Sequence, residues 1–336
     1  MYAIETLLHP LDRVRHFWLK AFAPLVRPLI IDREKRVAFA GSLAICVAFA
    51  LTILSPLWLL ALGPIALGAL HLLADARYLV VRTGLYRRGS LWLAIGLPMI
   101  WLTSGSWVGF CASIGALLVA RAPLRRKALG LLIVVPIVIA ASYGGRLTDI
   151  IFVHAHNFVA VAFFFWWTKR SSNAHYIPLG LFFFLTLLLL LGVGSPAVYW
   201  ASGDQAPGTG MDLTWMALTY APTGASPEWA LRFLLMYAFA QAMHYTIWLR
   251  LIPEEDRERR TPRTFVQSYQ ALREDLGLGV LALFMLFALL IAGWALVDLS
   301  GARLNYLEIA RFHGYVELAI ASLLIVEGRP LAAREA

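Results

Sequence analysis

The chain has 336 residues, of which 60% are hydrophobic and only 15% charged, with a mean hydropathy of +0.71. Soluble domains carry charge at about a quarter of their positions, so this composition excludes an ordinary soluble domain and predicts an all-α, polytopic integral membrane bundle. The net charge of +9 resides in short loops between apolar stretches, where membrane sidedness accounts for it. No nucleic-acid-binding pattern accompanies it. Cys46 and Cys111 are the only cysteines and both lie in apolar stretches, which excludes a disulfide framework or a CxxC motif and fits small core residues.

In chain order, residues 1–36 mix Arg and Lys with Leu, Phe and Trp. They are too polar for a cleavable signal peptide and read as an amphipathic segment on the cytoplasmic membrane face, with His9 and His16 at its surface. A membrane span needs about 20 apolar residues. On that rule residues 37–326 form one transmembrane domain of about ten helices, near 37–54, 56–81, 90–104, 106–121, 127–143, 147–168, 175–193, 228–251, 277–298 and 304–326. The third and fourth are short, joined by Thr103-Ser104-Gly105-Ser106, and admit a re-entrant pair instead. Residues 194–227 lack Lys and Arg and are rich in Gly and Pro, so they read as an outer loop holding one short helix within MDLTWMALTY. Residues 253–276 read as a charged cytoplasmic connector, and 327–336 as a short cytoplasmic tail. No clear internal repeat of the kind seen in transporters is visible.

Placing the N-terminus in the cytoplasm assigns 25 of the 29 Lys and Arg residues to that side and leaves Arg146 and Arg303 outside, with Arg232 and Arg311 inside outer helix halves. This asymmetry predicts cytoplasmic termini and a multi-pass protein of the inner membrane.

Five of the eight histidines fall within the predicted spans: His71, His154, His156, His244 and His313. Ionisable side chains are costly in hydrocarbon, so several together predict a shared interior site. At about 1.5 Å rise per residue, His71, His154, His156 and His313 lie roughly 15–21 Å from the cytoplasmic face, and His244 roughly 9–12 Å. Helical tilt brings the last within reach. Asp75 and Glu317 each follow a histidine by one helical turn, placed either to ligate or to hold its ring by accepting an N–H hydrogen bond. Tyr237, Gln241, His244 and Tyr245 form a polar stripe that reads as site lining. His154 and His156 point to different faces, the first with Asn157 and the second with Asp149, and the spacing leaves open which one turns inward. Imidazoles with few carboxylates and no thiolates suit Fe(II), Zn or Cu. Phe163–Trp167 and Phe182–Phe184 are aromatic runs that suit either a pocket for a long apolar molecule or a lipid-facing surface.

Gly68-Ala69-Leu70-His71-Leu72-Leu73-Ala74-Asp75, preceded by Gly63-Pro64, resembles the glycine-flanked His-x-x-x-Asp motif of the bacterial Brp/Blh-like β-carotene dioxygenases. The run from Met236 through Gln241 and His244 to Tyr245 is similar to that family's later aromatic-rich histidine motif, and His154-Ala155-His156-Asn157-Phe158 to its middle one. The resemblance implies a polytopic protein that uses histidine-bound iron to cleave a carotenoid to retinal, with His71, His244 and one of His154 or His156 as ligands. The family pattern has a second histidine four residues after the later one, where this chain has Trp248, so His313 would supply that imidazole from another helix.

Together these features predict a non-haem iron oxidoreductase acting on a lipophilic, carotenoid-like substrate with dioxygen, within membrane lipid and without nucleic acid. Two rival readings use the same residues: a bis-histidine haem protein, and a proton- or ion-coupled transporter with Asp, Glu and His as its relay.

Overall fold

A computed structural model describes residues 2–167, 173–202, 208–257 and 261–329, and its secondary structure is helical without strands. Lys169, Arg170, Arg259, Arg260 and Arg334, which entered the sidedness count, lie outside the described residues.

The helices are α1 (Tyr2–Ala21), α2 (Ala23–Ile31), α3 (Arg33–Leu54), α4 (Pro56–Asp75), α5 (Gly89–Ile100), α6 (Ser106–Leu118), α7 (Leu124–Gly144), α8 (Arg146–Trp167), α9 (Tyr176–Leu190), α10 (Ser195–Ser202), α11 (Leu213–Thr219), α12 (Pro227–Thr246), α13 (Ile252–Glu255), α14 (Phe265–Val297), α15 (Leu299–Ala310) and α16 (Phe312–Glu327). Among the described residues six stretches are long and apolar enough to cross a membrane: α3, α4 with its extension to Val81, α7, α8, α14, and α15 with α16. α9 with α10, bent by 77°, makes a seventh if they form one span. The chain is therefore a multi-pass helical membrane protein; of the ten expected spans, six, or seven with the bent pair, pass on length and composition among the described residues.

The physical reason lies in three places. α5 and α6 are short apolar helices. α12 carries Glu228, Arg232, Gln241 and His244, and it is central, packed by α3, α4, α8, α9 and α11. A helix surrounded by other helices does not need a uniformly apolar surface. The predicted spans 277–298 and 304–326 also differ in outline. α14 begins at Phe265 and breaks at Gly277, whose φ of +77° suits glycine, so half of the expected connector is helical. α15 starts at Leu299, where the Asp298 side chain caps Gly301 N at 2.8 Å, and Arg303 lies buried inside this helix instead of in an outer loop.

The other local expectations resolve simply. α1 and α2 supply the N-terminal amphipathic segment, with His9 and His16 exposed, and α11 is the short helix expected in the outer loop. Cys46 is exposed and Cys111 half-buried, so the expectation of core cysteines does not hold. Phe163, Phe164 and Phe182 are buried in the core while Phe183 and Phe184 face outward.

Charged residues cluster at the bundle end beyond α4 and α12. Buried Glu254 accepts from Arg36 Nε at 2.7 Å and Arg250 Nη1 at 2.6 Å and also pairs with Arg257, tying α3 to the end of α12. Asp275 accepts from Arg77 and Arg82 at 2.7 and 2.9 Å and joins the end of α4 to α14.

α5 and α6 approach closely because Gly115 has no side chain; a Cβ there would collide with the Ala94 carbonyl. Gly115→Ala should lower stability by about 1–3 kcal/mol, the usual cost of overpacking. Gly96→Ala, on a part of α5 with nothing within 4 Å of the added carbon, should be neutral or stabilising, as thermal unfolding in detergent will show.

Candidate metal centre

Four helices deliver the buried ionisable groups. α4 carries His71 and Asp75, α8 carries His156, α12 carries His244, and α16 carries His313 and Glu317. His71, His244 and Glu317 are at most 1% exposed and Asp75 is 8% exposed. Glycines make the crossing possible: a Cβ on Gly68 would strike the Tyr306 ring, and one on Gly314 would lie 2.8 Å from His156 Nδ1 and 2.8 Å from the Phe152 ring. Gly68 in the His71 motif thus leaves room for a side chain from α15.

The imidazoles meet edge to edge. His71 Nε2 and His244 Nε2 are 2.9 Å apart, and His156 Nε2 and His313 Nε2 are 3.0 Å apart. Ring centroids of His71 and His313 are separated by 4.9 Å and those of His156 and His244 by 4.5 Å, so the two pairs form one group. His244, placed lower by its distance along the sequence, is level with the others. Asp75 Oδ2 lies 3.3 Å from His71 Nε2, and Glu317 Oε2 lies 3.3 Å from His156 Nδ1. The expected pairing of Glu317 with His313, one turn away, is replaced by a contact across to α8.

The His313 tautomer follows from its outer edge. His313 Nδ1 contacts the Ala310 carbonyl, which only accepts, so Nδ1 carries the proton and Nε2 presents a lone pair. Glu317 Oε2 stands 3.3 Å from His156 Nδ1 without a hydrogen bond. His156 Nε2 faces the His313 lone pair at 3.0 Å, a separation that also matches two adjacent ligands of one metal ion. The donor set fits a metal ion: three triads have all their ligand atoms within 4.8 Å of one another, namely His71, His244 and His313; His156, His244 and Glu317; and His71, Asp75 and Glu317.

His154 stands apart. Its Nε2 lies 2.9 Å from the Tyr220 carbonyl oxygen, because residues two apart on a helix point to different faces, and the choice that the spacing left open falls to His156. Tyr237 accepts from Gln241 Nε2 at 2.8 Å and stacks on Tyr220, with centroids 4.0 Å apart. The Tyr245 ring is 5.4 Å from that of His71. Trp248 is fully buried with its ring 6.2 Å from that of His71, so an indole packs against the group where the resemblance called for another imidazole, and His313 supplies that imidazole from α16. Asp149, which shares a face with His156, is half exposed and pairs with Ser106 and Arg311 instead.

Several neighbours gave no signal in the sequence. Buried Arg303 donates to the Leu60 carbonyl at 2.8 Å and to Tyr220 Oη at 2.6 Å, which fixes the wall that holds Tyr237. Phe152 stacks on Tyr315 at 4.0 Å and lies against His156. They are ordinary aromatic and basic residues in the sequence, and only the packing identifies them.

Two cavities meet at the group. A cavity of about 500 Å³ on the α11 side is lined by His156, His244, Asn157, Tyr237, Gln241 and Tyr245. One of about 640 Å³ lies on the opposite side, with Asp75 and Glu317 among otherwise mostly apolar residues of α5, α14 and α16. His313 lines both. Neither aromatic run lines either cavity. Comparison with family models, curated proteins and solved structures finds no match.

Gly314→Ala removes no donor atom, yet its methyl group must displace His156. It should weaken Co(II) binding to the metal-stripped protein by about tenfold or more, the scale on which misplaced supporting groups act. Titration by visible absorption will check this, and unchanged affinity would contradict the described position of His156.

Proposed function

We propose that this protein is a metal-dependent oxidoreductase of the inner membrane, with non-haem iron held by His71, His156, His244 and His313, acting with dioxygen on a lipophilic substrate. The observation that carries this reading is the convergence of four imidazoles, with facing nitrogens 2.9 and 3.0 Å apart, and two carboxylates in one buried group. Iron with open coordination positions supplies the binding and activation of dioxygen. The chain supplies the rest. The Ala310 carbonyl holds the His313 ring at Nδ1, while Glu317 and Asp75 stand 3.3 Å from His156 Nδ1 and His71 Nε2 and add negative charge to the group. Tyr237, Gln241 and Tyr245 give the cavity on the α11 side a polar wall, while surrounding helices keep bulk water from the centre. The likeness of the His71 and His244 motifs to the carotenoid-cleaving family supports a carotenoid-like substrate.

The two rival readings fit less well. Axial imidazoles on opposite faces of a haem stand about 4 Å apart, twice a metal–nitrogen bond of about 2.0 Å, and the separations of 2.9 and 3.0 Å leave no slot for a macrocycle. A proton relay to both membrane faces would have to cross the largely apolar cavity beside Asp75.

Replacing His71, His156, His244 or His313 singly by Ala should lower iron content of the purified protein, whereas His154→Ala and His175→Ala should leave it near wild type. Asp75→Asn and Glu317→Gln should weaken metal binding or activity by about 10–100-fold while retaining a residual site. Full occupancy in all four histidine variants would refute the assignment.

The same reading places both termini in the cytoplasm and residues 194–227 outside. With Cys46 and Cys111 replaced by Ala, an impermeant maleimide applied to intact cells should label Thr223→Cys and not Ser268→Cys. Labelling of both from the same side would overturn the topology.

A further inference from the structure

The cavity of about 640 Å³ lies within the range of about 300–1,000 Å³ for small-molecule sites. Its walls come from α5 with Ile95, Gly96 and Met99, from α14 with Val280 and Phe284, and from α16 with Val316. The outer faces of α5 and α14 expose Leu93, Leu97, Leu283 and Met285, so the cleft between these helices opens toward hydrocarbon. At its inner end stand Asp75 and Glu317, with His313 beside them. Asp75 is more than nine-tenths buried, and its Oδ1 has no hydrogen-bond partner among the described residues. A buried carboxylate oxygen without a donor is costly. A pure hydrocarbon filling the cavity would leave that cost in place, and a carboxylate-bearing lipid would add like-charge repulsion.

We infer that this cavity is the substrate chamber of the proposed enzyme, entered sideways from the bilayer between α5 and α14, and that it takes a slender apolar molecule whose inner end bears a hydroxyl group hydrogen-bonded to Asp75. The inference rests on the functional reading above and goes beyond it by assigning the entrance, the chamber and the polar group that a ligand must present. Gly96 sets the bore. Nothing lies within 4 Å of a Cβ at this position, so a larger side chain grows into the cleft without touching the fold. A hydroxyl group both donates and accepts, so it satisfies the unpartnered oxygen of a buried carboxyl group.

The test uses the full-length protein in detergent and hexadecan-1-ol carrying a diazirine, with light-induced adducts located by mass spectrometry. Adducts are expected on α5, α14 and α16 at positions such as Ile95, Met99, Phe284 and Val316. Unlabelled hexadecan-1-ol should compete about tenfold or more better than hexadecane or hexadecanoate, as a hydrogen bond to a buried, otherwise unpartnered polar group requires. Gly96→Phe should reduce labelling at least tenfold with iron content unchanged, while Gly96→Ala retains most of it. Equal competition by hexadecane, better competition by hexadecanoate, or full labelling of Gly96→Phe would overturn the inference. Because iron is measured on the same samples, the two readings fail separately. Chamber labelling in protein that binds no metal supports the chamber and contradicts the metal reading, and iron-replete protein without labelling does the reverse.

Discussion

Six ionisable side chains from four helices are shut inside a bundle that crosses hydrocarbon, and each has to find its electrostatic partners among the others. This constraint explains much of the surrounding structure. An isolated imidazole or carboxylate at this depth would cost several kcal/mol, and neutralising it would need either a matched donor or a cation. The outer edge of His313 is taken up by the Ala310 carbonyl, which turns its inner nitrogen into a lone pair facing His156 Nε2 at 3.0 Å, with Glu317 beyond the outer edge of His156. The backbone arrangement serves the same end, with Gly68 and Gly314 removing side chains where helices carrying these groups cross. Central α12 can carry His244 and Gln241 because its neighbours, not lipid, surround it.

The centre also divides the interior. On the α11 side tyrosines, amides, imidazoles and several charged side chains line the cavity; on the other side the lining is mostly aliphatic and aromatic, with Asp75 and Glu317 beside His313. A membrane enzyme with a lipid-soluble substrate needs such a division, since one approach must admit an apolar body and the other must hold polar reactants in register. The charged ties at the bundle end, centred on Glu254 and Asp275, lie away from the four-histidine group and brace the helices that carry it.

Much of this was legible in the sequence for simple reasons. Composition and apolar run length are sums over many residues, so membrane class and helical architecture survive local error. Helical depth is likewise additive, and it brought His71, His156 and His313 to one layer while leaving His244 lower, to be reached by tilt. Facing is not additive. His154 and His156 have almost the same depth, and only the packing of α8 against α12 and α16 sends one to the Tyr220 carbonyl and the other to the centre. α12 is less apolar than a lipid-facing span because hydropathy marks contact with lipid, and α12 is interior. Arg303 was read as a loop residue because charge placement cannot reveal that the Leu60 carbonyl and Tyr220 await it inside the bundle. Glu317 reaches α8 instead of its own helix neighbour, a contact that no spacing rule on α16 contains.

The central claim is that four imidazoles share one iron ion, and X-ray absorption at the iron edge of the purified, iron-loaded protein tests it most directly. The account predicts a first shell dominated by about four imidazole nitrogens at about 2.0–2.2 Å, with the outer-shell scattering of imidazole rings and no sulfur. A porphyrin scattering pattern, a sulfur shell, or a shell of oxygen atoms with one imidazole or none would contradict it.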